Sequence, residues 1–161
     1  MTQHSDAELK RILSRTRTIA CVGVSLKETR PSYFVARYLR LKGYRVIGVN
    51  PAYAGKDGFG STIVGSLSDI PSGEDPIHMV DIFRRSEEAG AVVDEALEVL
   101  GPRGLRTIWM QIGVEDEAAA ERARARGIDV VMNRCPKIEY QRLFGELRWG
   151  GFNTGVISSR L

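Results

Sequence analysis

Five short stretches of this chain carry residue types suited to holding a phosphorylated anion. The first is Gly23-Val24-Ser25-Leu26-Lys27-Glu28-Thr29-Arg30-Pro31-Ser32-Tyr33. A glycine there lets a ligand approach the backbone. Serine hydroxyls and helix-start amides can donate to phosphate oxygens, and Lys27 and Arg30 add charge. The second stretch is Val49-Asn50-Pro51, with Lys56 a few residues on. The third is Ile82-Phe83-Arg84-Arg85. Two arginines at a helix start oppose the helix dipole, so they favour an anion nearby, and Phe83 offers a ring face to an aromatic base. Gln111 with Gly113, and Asn133 with Cys135, complete the set. Each stretch is weak evidence alone, but all five follow predicted strands.

The elements that must position them read as alternating strands and helices. Thr18 to Val24 is an apolar, β-branched run suited to a strand buried on both faces. Ser32 is the expected N-cap of a helix whose apolar face is Phe34, Val35, Tyr38, Leu39 and Leu41. Gly43 ends that helix, and Tyr44 to Val49 forms the second strand. Ala52 to Ser61 reads as a glycine-rich loop, Thr62 to Val64 as a brief strand and Ser66 to Pro71 as a short helical turn. Three further strands are expected at Ile77 to Phe83, Arg106 to Ile112 and Asp129 to Met132. The intervening helices run from Glu87 to Leu100, capped by Ser86, and from Glu115 to Arg126. Short helices at Asp6 to Leu13 and Lys137 to Leu143 flank the set.

This alternation predicts an α/β fold, a single Rossmann-like doubly wound domain over 1–161 with its core at about 16–143. The sheet is expected to hold five parallel strands in the order 3-2-1-4-5, with ligands at their carboxyl ends near the switch between strands 1 and 4. Residues 144–161 form a tail of unassigned shape. Trp149, Phe152, Val156 and Ile157 on it would either pack back on the domain or dock on a partner or a second copy.

Composition narrows the function classes. A formal charge of +3 spread along the chain gives no nucleic-acid stripe. No apolar run of about 18 residues suggests a membrane span. Two cysteines cannot build a disulfide framework, so a reducing cytoplasm is the expected compartment. Cys21 reads as core, His78 as a buried core histidine and His4 as part of a frayed end. No nucleophile–base pair, paired-carboxylate motif or metal cluster can be assembled, so no catalytic residue is assigned. Cys135 is the one candidate nucleophile, placed where a helix start would lower its pKa, or else a small buried hydrophobe. An NAD(P)-binding oxidoreductase is the competing reading. Against it, Ser25 and Glu28 stand where the G-x-G-x-x-G pattern wants glycines, and Asn50-Pro51 stands where a ribose-binding carboxylate is usual.

At these residues the chain resembles the CoA-binding domain family, which includes the amino-terminal domain of the succinyl-CoA synthetase alpha subunit and small stand-alone bacterial and archaeal proteins. The likeness runs from Thr18 to about Leu143 through VGVS, RPSY, GYRVIGVNP, SLSDIP, VDIFRRSE, VVDEA, WMQIGV and VVMNRCPKIE, and NTGVISSRL resembles a subset of the stand-alone proteins. The resemblance implies coenzyme A or an acyl-CoA as ligand. By position, Gly23, Val24, Ser25 and the segment from Arg30 through Ser32 to Tyr33 match the phosphate loop. Val49, Asn50, Pro51 and Lys56 match the adenosine side, as do Ile82, Phe83 and Arg84. Gln111, Gly113, Asn133 and Cys135 match the pantetheine side, which would bring the ligand thiol near Cys135 and permit a mixed disulfide between them under oxidation. The expected role is binding without catalysis, as a sensor, carrier or regulator. The alternative is a CoA-dependent enzyme component that needs a partner subunit.

Overall fold

The computed structural model of the chain describes residues 4–145. Its centre is β1 (Thr18–Val22), buried at every position as a two-faced strand must be. It pairs in parallel with β2 (Arg45–Val49) on one side and β5 (Met79–Ile82) on the other. β6 (Thr107–Met110) and β7 (Asp129–Val131) extend the sheet beyond β5. On one face, α3 (Ser86–Leu100) and α4 (Glu117–Arg124) close a core around Ile82, Val93 and Ile108. On the other, α1 (Asp6–Arg15), α2 (Pro31–Leu41) and α5 (Pro136–Leu143) close a second core around Ile19, Leu39 and Trp109. The expected doubly wound, five-stranded parallel Rossmann-like fold is present.

The strand order is not the expected one. The sheet runs β2-β1-β5-β6-β7, so the third long strand lies beside the first and not beside the second. The cause is Val64. It forms a one-residue parallel bridge to Val49, donating to Gly48 O at 3.0 Å and accepting from Asn50 N at 2.9 Å. That bridge takes the outer edge of β2, and the chain must cross over to reach an open edge on β1. Counting the bridge as a strand restores the doubly wound order 3-2-1-4-5-6. The crevice therefore falls between β1 and β5.

Local differences follow from where hydroxyls are spent. α2 takes Arg30 as its N-cap with Pro31 in its first turn, while Ser32 turns its Oγ to the Ser25 amide at 3.0 Å. α3 takes Arg85 as cap, and Ser86 Oγ donates to Gly113 O and accepts from Glu115 N. Ser5 does cap α1, in a reciprocal box with Glu8. Phe34 and Leu41 are 39% and 72% exposed, so the buried face of α2 is Val35, Ala36, Tyr38 and Leu39. Being seven residues apart, the two outliers share one flank of the helix. The glycine-rich loop contains a hairpin, β3 (Asp57–Gly58) and β4 (Ser61–Thr62).

Both histidines differ from expectation. His78 precedes β5 and is half-buried at the opposite end of the sheet from the crevice, its Nδ1 accepting the Arg17 and Thr18 amides at 3.2 Å. His4 is docked, its Nε2 donating to Val130 O at 2.7 Å. Among the described residues no helix is long and apolar enough to cross a membrane. The tail positions Trp149, Phe152, Val156 and Ile157 lie outside the described residues.

Candidate functional site

At the switch point the three central strands are laced together. Gly23 N donates to Val49 O at 2.8 Å, and Phe83 N donates to Val22 O at 2.9 Å. Ser32 holds the Ser25 amide, and Ser25 Oγ accepts from Lys27 N at 3.0 Å while meeting Tyr53 OH at 3.2 Å. Asn50 ties the next strand end, its Nδ2 donating to Val24 O and its Oδ1 accepting from Ala52 N, both at 3.0 Å. Arg84 Nη2 lies 3.5 Å from Asn50 Oδ1. The Arg84 side chain lies over Gly23 so closely that a Cβ there would meet its Cδ and Nε at 3.3 Å. Gly23, Ser25, Ser32, Asn50 and Arg84 thus form one cluster around the crevice, joined by Tyr53.

Most cations around this cluster, among the described residues, make no ion pair. Arg15, Arg45, Arg103, Arg122, Arg124 and Arg142, all on other parts of the surface, sit on carboxylates. Among the described residues, Lys27, Arg30, Arg37, Arg40, Lys56 and Arg84 make no ion pair. Beside them, between the β1–α2 loop and the hairpin, lies a cavity of about 500 Å³. Its walls include Leu26, Arg37 and Arg40 and the carboxylates Glu28 and Asp57, with Tyr33 and Phe59 in tilted ring contact at 5.6 Å. Unpaired cations beside an aromatic-walled recess favour a ligand that is anionic and carries a flat ring.

Farther along the row the site changes character. Asp81, in the middle of β5, is wholly buried, and among the described residues no cation pairs with it. Burial pushes its carboxyl pKa well above the usual range. Gln111, with its amide nitrogen turned inward, donates to Asp81 Oδ1 at 3.0 Å and Oδ2 at 3.2 Å, an orientation assigned from this network. Asn133, at φ 59°, accepts the Gly113 amide at 2.7 Å, and Trp109 Nε1 donates to Arg134 O at 2.8 Å. Cys135 is 5% exposed at the start of α5, and burial pushes its thiol pKa up, not down as the helix start suggested. A neutral, enclosed thiol is a wall more than a nucleophile, which removes the motive for a mixed disulfide. Cys21 is core, as expected.

Asp81 gives a pH-dependent expectation. In the unfolded chain an aspartate ionises near pH 3.9, about the reference value, whereas the folded chain holds the proton to higher pH. Folding stability should therefore fall as pH rises above the unfolded value. Asp81→Asn, which can still accept from Gln111, is expected to match the parent near pH 4 and to exceed it as pH rises above the unfolded value, read by urea unfolding at each pH. A variant weaker than the parent at pH 7 would contradict this.

The predicted residues divide by what they can present. Val24, Val49 and Ile82 have buried side chains and offer only backbone groups to the crevice. Lys27, Arg30, Pro51, Lys56 and Gly113 are exposed along its rim, and Tyr33 lines the cavity. Arg85 is exposed and faces Glu88 at 3.8 Å. Phe83 is half-buried against the α1–α2–α5 core. Sequence reasoning missed Tyr53, Phe59, Arg37, Arg40 and Asp81. Only Asp81 had a legible signal, a lone charge inside the apolar run IHMVDIF.

Known proteins share this framework. The chain is 36% identical over 140 residues to the uncharacterized protein YneT of Bacillus subtilis, covering 87% of this chain and 97% of that one. A Thermus thermophilus protein of solved structure superposes with a TM-score of 0.78 at 35% identity, covering 87% of this chain and 99% of its own. The dinucleotide-forming acetyl-coenzyme A synthetase 1 of Ca. Korarchaeum cryptofilum shares the fold at a TM-score of 0.59 and 22% identity, over 76% of this chain and 26% of the synthetase. The family described as CoA binding domain matches residues 17–141, and the chain belongs to that family.

Proposed function

We propose that this protein binds coenzyme A, free or as an acyl thioester, along the carboxyl ends of β1, β2, β5, β6 and β7, with no chemistry of its own, acting as a sensor, carrier or regulator. The carrying observation is the group of cations around the Gly23–Ser25 turn that make no ion pair among the described residues. Arg84 and the loop amides take the diphosphate. The Tyr33–Phe59 recess, flanked by Arg37 and Arg40, takes the adenosine with its 3′-phosphate. Gln111 and Asn133 line the way for the pantetheine arm. Against a nicotinamide nucleotide stands Asn50, whose amide is spent on Val24, Ala52 and Arg84 and presents no carboxylate to a ribose.

Titration calorimetry with coenzyme A, dephospho-coenzyme A and NAD tests the reading. Coenzyme A is expected to bind best, dephospho-coenzyme A more weakly through loss of one charge-assisted contact, and NAD not at all. Added salt should weaken coenzyme A, because exposed phosphate contacts are screened over about 8–10 Å at ordinary ionic strength. Preference for NAD, or silence with all three, would overturn it.

A further inference from the structure

A second cavity, of about 370 Å³, opens where the row of strand ends finishes, at the edge strand β7. Ile112, Val130, Met132, Cys135 and Ile138 form its apolar wall. Ile112, on the turn after β6, is 60% exposed and is one of three large hydrophobic side chains exposed among the described residues. Together with that wall, Ile112 gives one side of a mixed recess an apolar surface long enough for a ligand chain to lie along.

The charged groups around the cavity are already committed. Arg124 is held by Glu117 and Glu121 at 2.9 and 2.8 Å. Arg134 faces Glu139 at 3.4 Å, and Glu139 is also gripped by Arg142 at 2.6 Å. His4 spends its Nε2 on Val130 O, and its Nδ1 faces Glu8 at 3.8 Å without a hydrogen bond. Glu115 is the lining charge that makes no ion pair among the described residues. Among the described residues the cavity thus has no arginine or lysine left unpaired to hold a carboxylate, and one unpaired anion to repel it.

Its position ties it to the crevice. Arg84 follows β5, Ile112 follows β6, and Asn133 to Cys135 follow β7. With neighbouring strands about 4.8 Å apart, the cavity begins roughly 10 Å along the sheet edge from Arg84. An arm anchored by its phosphates at Arg84 and passing Gln111 reaches this recess with its thiol end. We infer that this cavity is an acyl subsite, shaped for the apolar chain of a monocarboxylic acyl-CoA and closed to dicarboxylic acyl groups. The inference rests on the reading of coenzyme A at the strand ends and goes beyond it by naming the acyl class.

The test is calorimetry with coenzyme A, hexanoyl-CoA and succinyl-CoA on the parent and on Ile112→Glu. Each fully buried methylene is worth roughly a fourfold gain, so hexanoyl-CoA, with its chain partly covered, should bind about tenfold tighter than coenzyme A. Succinyl-CoA should bind no tighter than coenzyme A. Ile112→Glu, at an exposed position, should erase the hexanoyl gain while leaving coenzyme A affinity at the parent value. Equal affinity for coenzyme A and hexanoyl-CoA would overturn the subsite and leave the proposed function standing, as would tightest binding of succinyl-CoA or a hexanoyl gain that survives in Ile112→Glu. Absence of binding by coenzyme A itself would overturn both.

Discussion

Arg84→Ala is expected to weaken coenzyme A binding by about 1.5–3 kcal/mol, roughly tenfold to 150-fold in Kd, the range for hydrogen bonds to a charged group. The melting temperature should scarcely move. The Arg84 guanidinium has only a long 3.5 Å approach to Asn50 and, among the described residues, no carboxylate, so the fold gains little from it. Calorimetry and thermal unfolding on the same sample check both halves. Unchanged affinity would remove Arg84 from the site. A large fall in melting temperature would make it a structural residue.

Gly23→Ala should lose both stability and binding. Gly23 sits at φ 89°, where an L-residue pays about 1–2 kcal/mol. The new Cβ would also press on Arg84 at 3.3 Å and fill the space over the strand end. Gly43→Ala is the matched control. Gly43 has φ 100° with nothing within 4 Å of a Cβ, so its replacement carries the strain without touching the crevice. Both variants are expected to unfold at lower denaturant, and only Gly23→Ala to bind coenzyme A several-fold more weakly. Equal loss of binding in the two would show that strain alone, not the site, is responsible.

What the sequence showed and hid can be traced to particular residues. The run TIACV contains no charged side chain and is mostly apolar, so burial of β1 on both faces was legible. The strand order was not, because it turns on one bridging residue, Val64, with no run of apolar neighbours to announce it. Ser32 and Ser86 stand where N-caps stand, yet each hydroxyl serves an amide on a different loop. Local spacing cannot distinguish a cap from a tertiary tie. The five strand-end stretches were visible as residue types. Which cations would remain unpaired was not, since pairing depends on which helix lies opposite. The thiol of Cys135 departs from its expected acidity for a related reason. A helix start lowers a thiol pKa only where the thiol is hydrated enough to ionise, and this one is enclosed.

The central claim is that the cations and serine-lined turn at the β1–β5 crevice receive the phosphates of coenzyme A. A crystal structure of the protein grown with saturating coenzyme A tests it most directly. The account predicts the diphosphate within hydrogen-bond reach of Arg84 and the Gly23–Ser25 amides, with the pantetheine arm running past Gln111. A crevice left empty while coenzyme A binds elsewhere on the surface would contradict it.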